Sequence, residues 1–198
     1  VLPWRLLHDP RFQDGKVLLL EPRRLAARAA AERIAELCGD SVGGVVGLRT
    51  RVETRVGRAT RLEVVTEGVL TRLLQADPSL AEYGAILFDE FHVRSLHGDL
   101  GLALAWEARN VLRPDLRLAV LSATLSAHVL DQTYGPWPGI EVPGRTHPVD
   151  VRYRPPVRSE TPCWDHAAHL VREALDLPVP TWGGTLLVFL PGFREMTR

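Results

Sequence analysis

The sequence predicts an α/β fold in which helices cover both faces of a parallel sheet. Two patterns carry that prediction. Short runs that are apolar almost throughout, Lys16–Glu21 (KVLLLE), Ala85–Phe88 (AILF) and Arg117–Leu121 (RLAVL), suit strands buried on both faces. Between them lie longer segments rich in helix formers, and strands alternating with helices are the pattern of a parallel α/β sheet.

Taken in order, VLPWRLLHDP reads as the tail of a helix and Lys16–Glu21 as the first strand. Pro22 then opens a helix, RRLAARAAAERIAELCG, with proline at its first position and Gly39 just past its end. Val45 to Arg49 and Arg61 to Val65 are further strands joined by an arginine-rich connection. Thr66-Glu67-Gly68 leads into a short helix, VLTRLLQ, closed by Asp77-Pro78. After Ala85–Phe88, the residues Leu96, Leu100, Ala103, Leu104 and Val111 mark one face of a helix. The Arg117–Leu121 strand ends in Ser122-Ala123-Thr124. From Tyr134 the prolines of YGPWPG, with Pro143, Pro148, Pro155 and Pro156, suggest a connection between domains. A helix over Asp165–Leu177, a buried strand over Thr185–Leu190 and the start of a helix in PGFREMTR complete the reading.

Composition narrows the function classes. With 198 residues, 45% of them hydrophobic, the chain can bury one full core and part of a second. No apolar run approaches the roughly twenty residues needed to span a bilayer, and no signal core is recognisable, so a cytoplasmic location is expected. Cys38 and Cys163 form no disulfide framework and have no zinc-type spacing. The net charge is zero, so bulk electrostatics point to no partner. Lys16 is the only lysine; every other cationic side chain besides histidine is arginine.

The chemistry concentrates in Ala85–Ser95 (AILFDEFHVRS), where an apolar strand runs straight into two carboxylates and a histidine. At the carboxyl edge of a parallel sheet, where such folds hold ligands, Asp89 can hold a magnesium ion through water. Glu90 can take a proton from a water attacking a phosphate. Capping of the next helix by Asp89, with Glu90 at its positive end, also accounts for acids here. A metal-dependent hydrolase built from Asp89, His92, His97 and Asp99 is a further candidate, although no recognised ligand spacing supports it.

Asp89-Glu90-Phe91-His92 fits the D-E-x-H form of the magnesium motif of superfamily 2 helicases, and Ser122-Ala123-Thr124 follows after one helix and one strand. Together with LLLEPRRLAARAAAERIA, VVGLRTRVE, TEGVLTR, ILFDEFHVRSLHGDLGLALA, LAVLSATL, GRTHPVDVRY and LLVFLPG, in that order, the chain resembles DEAH/RHA-type helicases, in particular the bacterial HrpB branch. The resemblance implies a RecA-like sheet with flanking helices: residues 1–139 as a first helicase domain truncated at its N-terminus, and 140–198 as a linker and the beginning of a second. It implies ATP or another NTP and magnesium as cofactors, and RNA as partner, with single-stranded DNA as a further candidate. Translocation is expected to run 3′ to 5′. Asp89 becomes the magnesium residue, Glu90 the catalytic base, and His92 the link to Ser122, Ala123 and Thr124. Pro22, Arg23 and Arg24, with Thr66, Glu67 and Gly68, face the nucleic-acid backbone, for which arginine forks and helix N-termini are suited.

Two departures stand out. Val93 replaces the glutamate that commonly follows the motif histidine, and no G-x-x-x-x-G-K-[ST] phosphate loop occurs. Lys16 opens a strand instead of a helix, and Gly57-Arg58-Ala59-Thr60 has only the tail of such a loop. In the family that loop lies just upstream of this chain's first residue, so a fragment with little turnover of its own is expected. A non-catalytic nucleic-acid-binding or scaffold module remains the alternative. Arg49, Arg51, Arg55, Arg58 and Arg61 are read mainly as surface charge. His8, His128, His166 and His169 lack an identifiable partner.

Overall fold

The computed structural model describes residues 2–13, 15–124, 127–144, 147–156, 161–176 and 184–191. The chain divides into two compact units, Val1–Glu141 and Val142–Arg198. Within the first, the strands are β1 (Lys16–Glu21), β2 (Val46–Arg49), β3 (Thr54–Arg55), β4 (Leu62–Thr66), β5 (Tyr83–Phe88) and β6 (Arg117–Val120). They form one sheet in the order β3-β2-β4-β1-β5-β6, parallel throughout except where β3 folds back on β2. The helices are α1 (Leu2–Leu7), α2 (Arg24–Leu37), α3 (Glu67–Ala76), α4 (Leu96–Val111) and α5 (Ala127–Tyr134), and the second unit contains α6 (Cys163–Leu175).

The continuous apolar runs exist because each strand feeds two cores. In β1, Val17 and Leu19 pack with Ala27, Ala31, Ile34 and Ala35 of α2, while Leu18 and Leu20 face the opposite layer. That layer holds Val69, Leu70 and Leu74 of α3 and Leu102, Ala105 and Ala108 of α4. Each large side chain so buried stabilises the fold by about 1.5–3 kcal/mol before entropy is counted.

Four expectations are corrected. First, α2 begins at Arg24 with Arg23 as its extended N-cap. Pro22 lies outside it, because Glu21 still pairs with Thr66 and the chain needs two residues to leave the sheet. Second, most of the predicted apolar face of α4 points outward: Leu96 is 80% and Val111 71% exposed and only Leu104 of that face packs on the core, whereas Gly98, Gly101, Leu102, Ala105 and Ala108 are buried. Close packing on α3 selects small residues here, since a Cβ on Gly101 would sit 3.0 Å from Leu70 Cδ2. Third, the short strand β3 arises inside the arginine-rich connection. Fourth, residues 184–190 form no strand, and Phe189 is 84% exposed. A strand needs a neighbour for its backbone hydrogen bonds, and none pairs with this segment among the described residues. The PGFREMTR helix, apart from Pro191, and the end of the Asp165–Leu177 helix lie outside the described residues; α6 itself begins two residues early, at Cys163.

Candidate active site at the carboxyl edge of the sheet

Four of the singled-out segments leave the same edge from adjacent strands. In β4-β1-β5-β6 order these are Thr66-Glu67-Gly68, Glu21-Pro22-Arg23-Arg24, Asp89-Glu90-Phe91-His92 and Ser122-Ala123-Thr124. The register sets Glu21 beside Thr66, Leu20 beside Phe88, and Phe88 beside Val120. Backbone bonds carry the alignment past the strand ends. The Asp89 N–H donates to the Leu20 carbonyl at 3.0 Å, and the Phe91 N–H donates to the Leu121 carbonyl at 3.1 Å. The DEFH turn is thereby stitched to the residue immediately before Ser122.

Asp89 is half-buried, and its Oδ1 accepts from the Glu90 N–H at 2.8 Å. Glu90 is exposed and sits in the left-handed region (φ 49°, ψ 35°), a conformation disfavoured for a side-chain-bearing residue and typical of functional turns. Its Oε2 lies 3.3 Å from His92 Nε2. His92 Nδ1 is buried without a hydrogen-bond partner among the described residues. Phe91 anchors the turn edge-on against Phe88, with ring centroids 6.3 Å apart. The cap of α4 is Ser95, whose Oγ accepts from the Gly98 N–H at 2.9 Å. Asp89 therefore does not cap that helix. Ser122 is half-buried, Ala123 and Thr124 are exposed, and Ser122 Oγ accepts from the Thr124 N–H at 3.3 Å.

One residue of this edge was missed in the sequence. Glu21 is only 5% exposed, and burial, then the Asp89 and Glu90 charges and a hydrogen bond with Asp89, push its carboxyl up to about 7. An acid closing an apolar parallel strand was the available signal, the same one that marked Asp89. Hard carboxylate oxygens concentrated beside Asp89 suit magnesium, which keeps several waters and takes few protein ligands. Among the described residues, no group of three or more His, Cys, Asp or Glu side chains is placed to hold a metal ion. The hydrolase quartet is not assembled, and Asp99 is instead paired with Arg94 at 3.0 Å.

On the other side of the edge, Arg23 and Arg24 are exposed and in no ion pair among the described residues, and Pro22 is half-buried. Thr66 is the extended N-cap of α3 and makes no side-chain capping bond. Gly68 is exposed, with open space where a Cβ would stand. Glu67 turns inward, its Oε2 accepting from the Ser95 hydroxyl at 2.5 Å. Several other basic residues are structural: Arg49 pairs with Glu63 at 3.1 Å, Arg55 with Glu53 at 2.7 Å, and Arg61 donates to the Leu7 and Phe12 carbonyls. His8 and His166 both find backbone partners, the Trp4 and Arg154 carbonyls.

No family model matches the chain. Over 197 residues it is 46% identical to the ATP-dependent RNA helicase HrpB of Escherichia coli (strain K12), a match covering 100% of this chain and 24% of that protein. The ATP-dependent RNA helicase HrpA of the same strain is 37% identical over 195 residues, 98% of this chain and 15% of its own length. The crystal structure of Escherichia coli DEAH/RHA helicase HrpB matches with a TM-score of 0.90 at 46% identity, covering 99% of this chain and 24% of that one. The chain thus spans about a quarter or less of the length of these relatives. Agreement in sequence and in fold runs along nearly its whole length, and the chain is homologous to the HrpB type of DEAH/RHA helicase.

Proposed function

We propose that this chain carries part of the motor of an ATP-dependent, magnesium-requiring RNA helicase. The observation that supports this best is the gathering of four segments on one sheet edge, with acids at β1 and β5 and, at the start of α2, exposed arginines in no ion pair among the described residues. Asp89 would hold magnesium, and the ion, when bound, would offset charge on the nucleotide phosphates. Glu90, exposed and 3.3 Å from His92 Nε2, accepts the proton of the attacking water. His92 passes the state of that site to Ser122, Ala123 and Thr124 along the bonded strand ends. Arg23, Arg24, Thr66 and Gly68 present phosphate-binding groups to the RNA backbone, and Pro22 faces it beside them.

The sequence contains no phosphate loop, so the activity is that of the full-length protein. By its resemblance in sequence, the segment 140–198 is assigned to the linker and the opening of a second RecA-like domain. The likeness to bacterial RNA helicases favours work in the cytoplasm, and no helix among the described residues is long and apolar enough to cross a membrane. The test is ATP turnover by the full-length protein with and without RNA, and with single-stranded DNA as a parallel arm. RNA should stimulate turnover in the presence of magnesium. Absence of stimulation by any RNA would remove this reading in favour of a non-catalytic module.

A further inference from the structure

We propose that Glu67 is a positioning residue that ties the RNA-facing end of α3 to the turn carrying Asp89, Glu90 and His92. The inference rests on the function proposed above and deepens it. Three residues build the tie. Ser95 Oγ donates its only proton to Glu67 Oε2 at 2.5 Å, while Ser95 Oγ itself accepts from the Gly98 N–H at 2.9 Å. Gly98 is buried, and a Cβ there would lie 2.6 Å from Glu67 Oε1, so the carboxylate fits only because that side chain is missing. The hydroxyl therefore serves α3 and α4 at once.

Electrostatics argue the same way. A carboxylate set against a nucleic-acid backbone repels it, so Glu67 is unsuited to the backbone contact its position beside Thr66 and Gly68 suggested. Turned inward, it becomes a strut. Ser95 is separated from Glu90 by a turn with little slack: the Val93 N–H donates to the Glu90 carbonyl at 2.9 Å, and Arg94 follows at φ 49°. A shift of the Glu90 turn must therefore move Ser95, Glu67 and, with it, the Thr66–Gly68 segment. The converse holds for RNA pressing on that segment.

The test uses the full-length protein. ATP turnover is followed against RNA concentration for Glu67→Ala, Ser95→Ala, the double variant and Ser95→Thr, and RNA affinity is measured separately with a nonhydrolysable ATP analogue. Each alanine variant should lower the ratio of RNA-saturated to RNA-free turnover by roughly tenfold, the scale of a typical coupling between sites. The double variant should lose no more than either single one, because both break the same link. Ser95→Thr, which keeps the hydroxyl, should recover most of the ratio, which a general structural role would not predict. If an alanine variant does not fold, Gly98→Ala displaces the carboxylate with both bonding residues retained, and should show the same loss. Multiplying losses in the double variant would overturn the proposal, as would a defect confined to RNA affinity with stimulation at saturation intact. Wild-type protein unmoved by RNA would remove the helicase reading and this inference together; stimulated wild type with unchanged variants would remove the inference alone.

Discussion

Two buried glutamates in one sheet show how the same side chain serves opposite ends. Glu63 of β4 is fully buried, yet every neighbour compensates it: Lys16 Nζ at 3.2 Å, Arg49 Nη2 at 3.1 Å and the Tyr83 hydroxyl at 3.0 Å. Glu21, at the carboxyl end of β1, is buried beside Asp89 and Glu90, charges of its own sign. A buried charge costs several kcal/mol unless paired. The first region meets that cost with cations and becomes structure. The second leaves it standing where the ligand edge can receive a cation, and becomes a site.

The largest expected effect is on the compensated side. Glu63→Ala leaves Arg49 and the Tyr83 hydroxyl without their carboxylate and Lys16 with Glu82 alone, and should cost about 3–5 kcal/mol of stability, read as a lowered denaturant midpoint. Glu21→Gln should cost little, and a comparable loss there would erase the contrast between the two regions.

The pH dependence sharpens it next. Glu21 binds its proton more tightly in the folded state, with its carboxyl raised from 4.5 to about 7. Its contribution is therefore fully present below pH 4.5 and is lost as pH rises to about 7, by up to about 3 kcal/mol. Urea titrations across that window should show the decline, and Glu21→Gln should abolish it. On the compensated side the sign reverses. Lys16 holds the Glu82 carboxyl below its usual range, so that contribution is present above pH 4.5 and fades as pH falls further. A pH profile that rises steadily from pH 4.5 to 7 would contradict the assignment of Glu21.

Third comes the chemistry of the uncompensated edge. In the full-length protein Glu90→Gln keeps the side chain's size but not its basicity, and ATP turnover should fall by about a hundredfold or more. RNA binding with a nonhydrolysable analogue and the melting temperature should be unchanged. Near-normal turnover would reduce the DEFH turn to a structural feature. The smallest effect is expected for Asp89→Asn, which should raise the magnesium concentration for half-maximal turnover by roughly tenfold, measured as a magnesium titration of the ATPase.

Short-range pattern encodes a definite part of this molecule. The doubly buried strands follow from runs such as Val17–Leu20, because alternate residues must each find a core, and the DEFH and SAT segments were legible because they terminate such runs. The end of α2 was legible in Gly39, which adopts φ 68° as a helix terminus requires. Tertiary structure alone decided the rest. Which face of α4 is buried depends on how closely α3 approaches, so small residues displaced the leucines that periodicity had favoured. Whether an acid is structural or functional depends on partners from other strands: Glu63 meets Lys16 across 47 positions, and Glu21 meets Asp89 only because β1 and β5 are neighbours. Glu67 and Ser95, 28 positions apart, are joined in the same way. Hydrophobic periodicity is a property of the local chain, whereas the energy of a buried charge is set by whatever the fold places within a few ångströms of it.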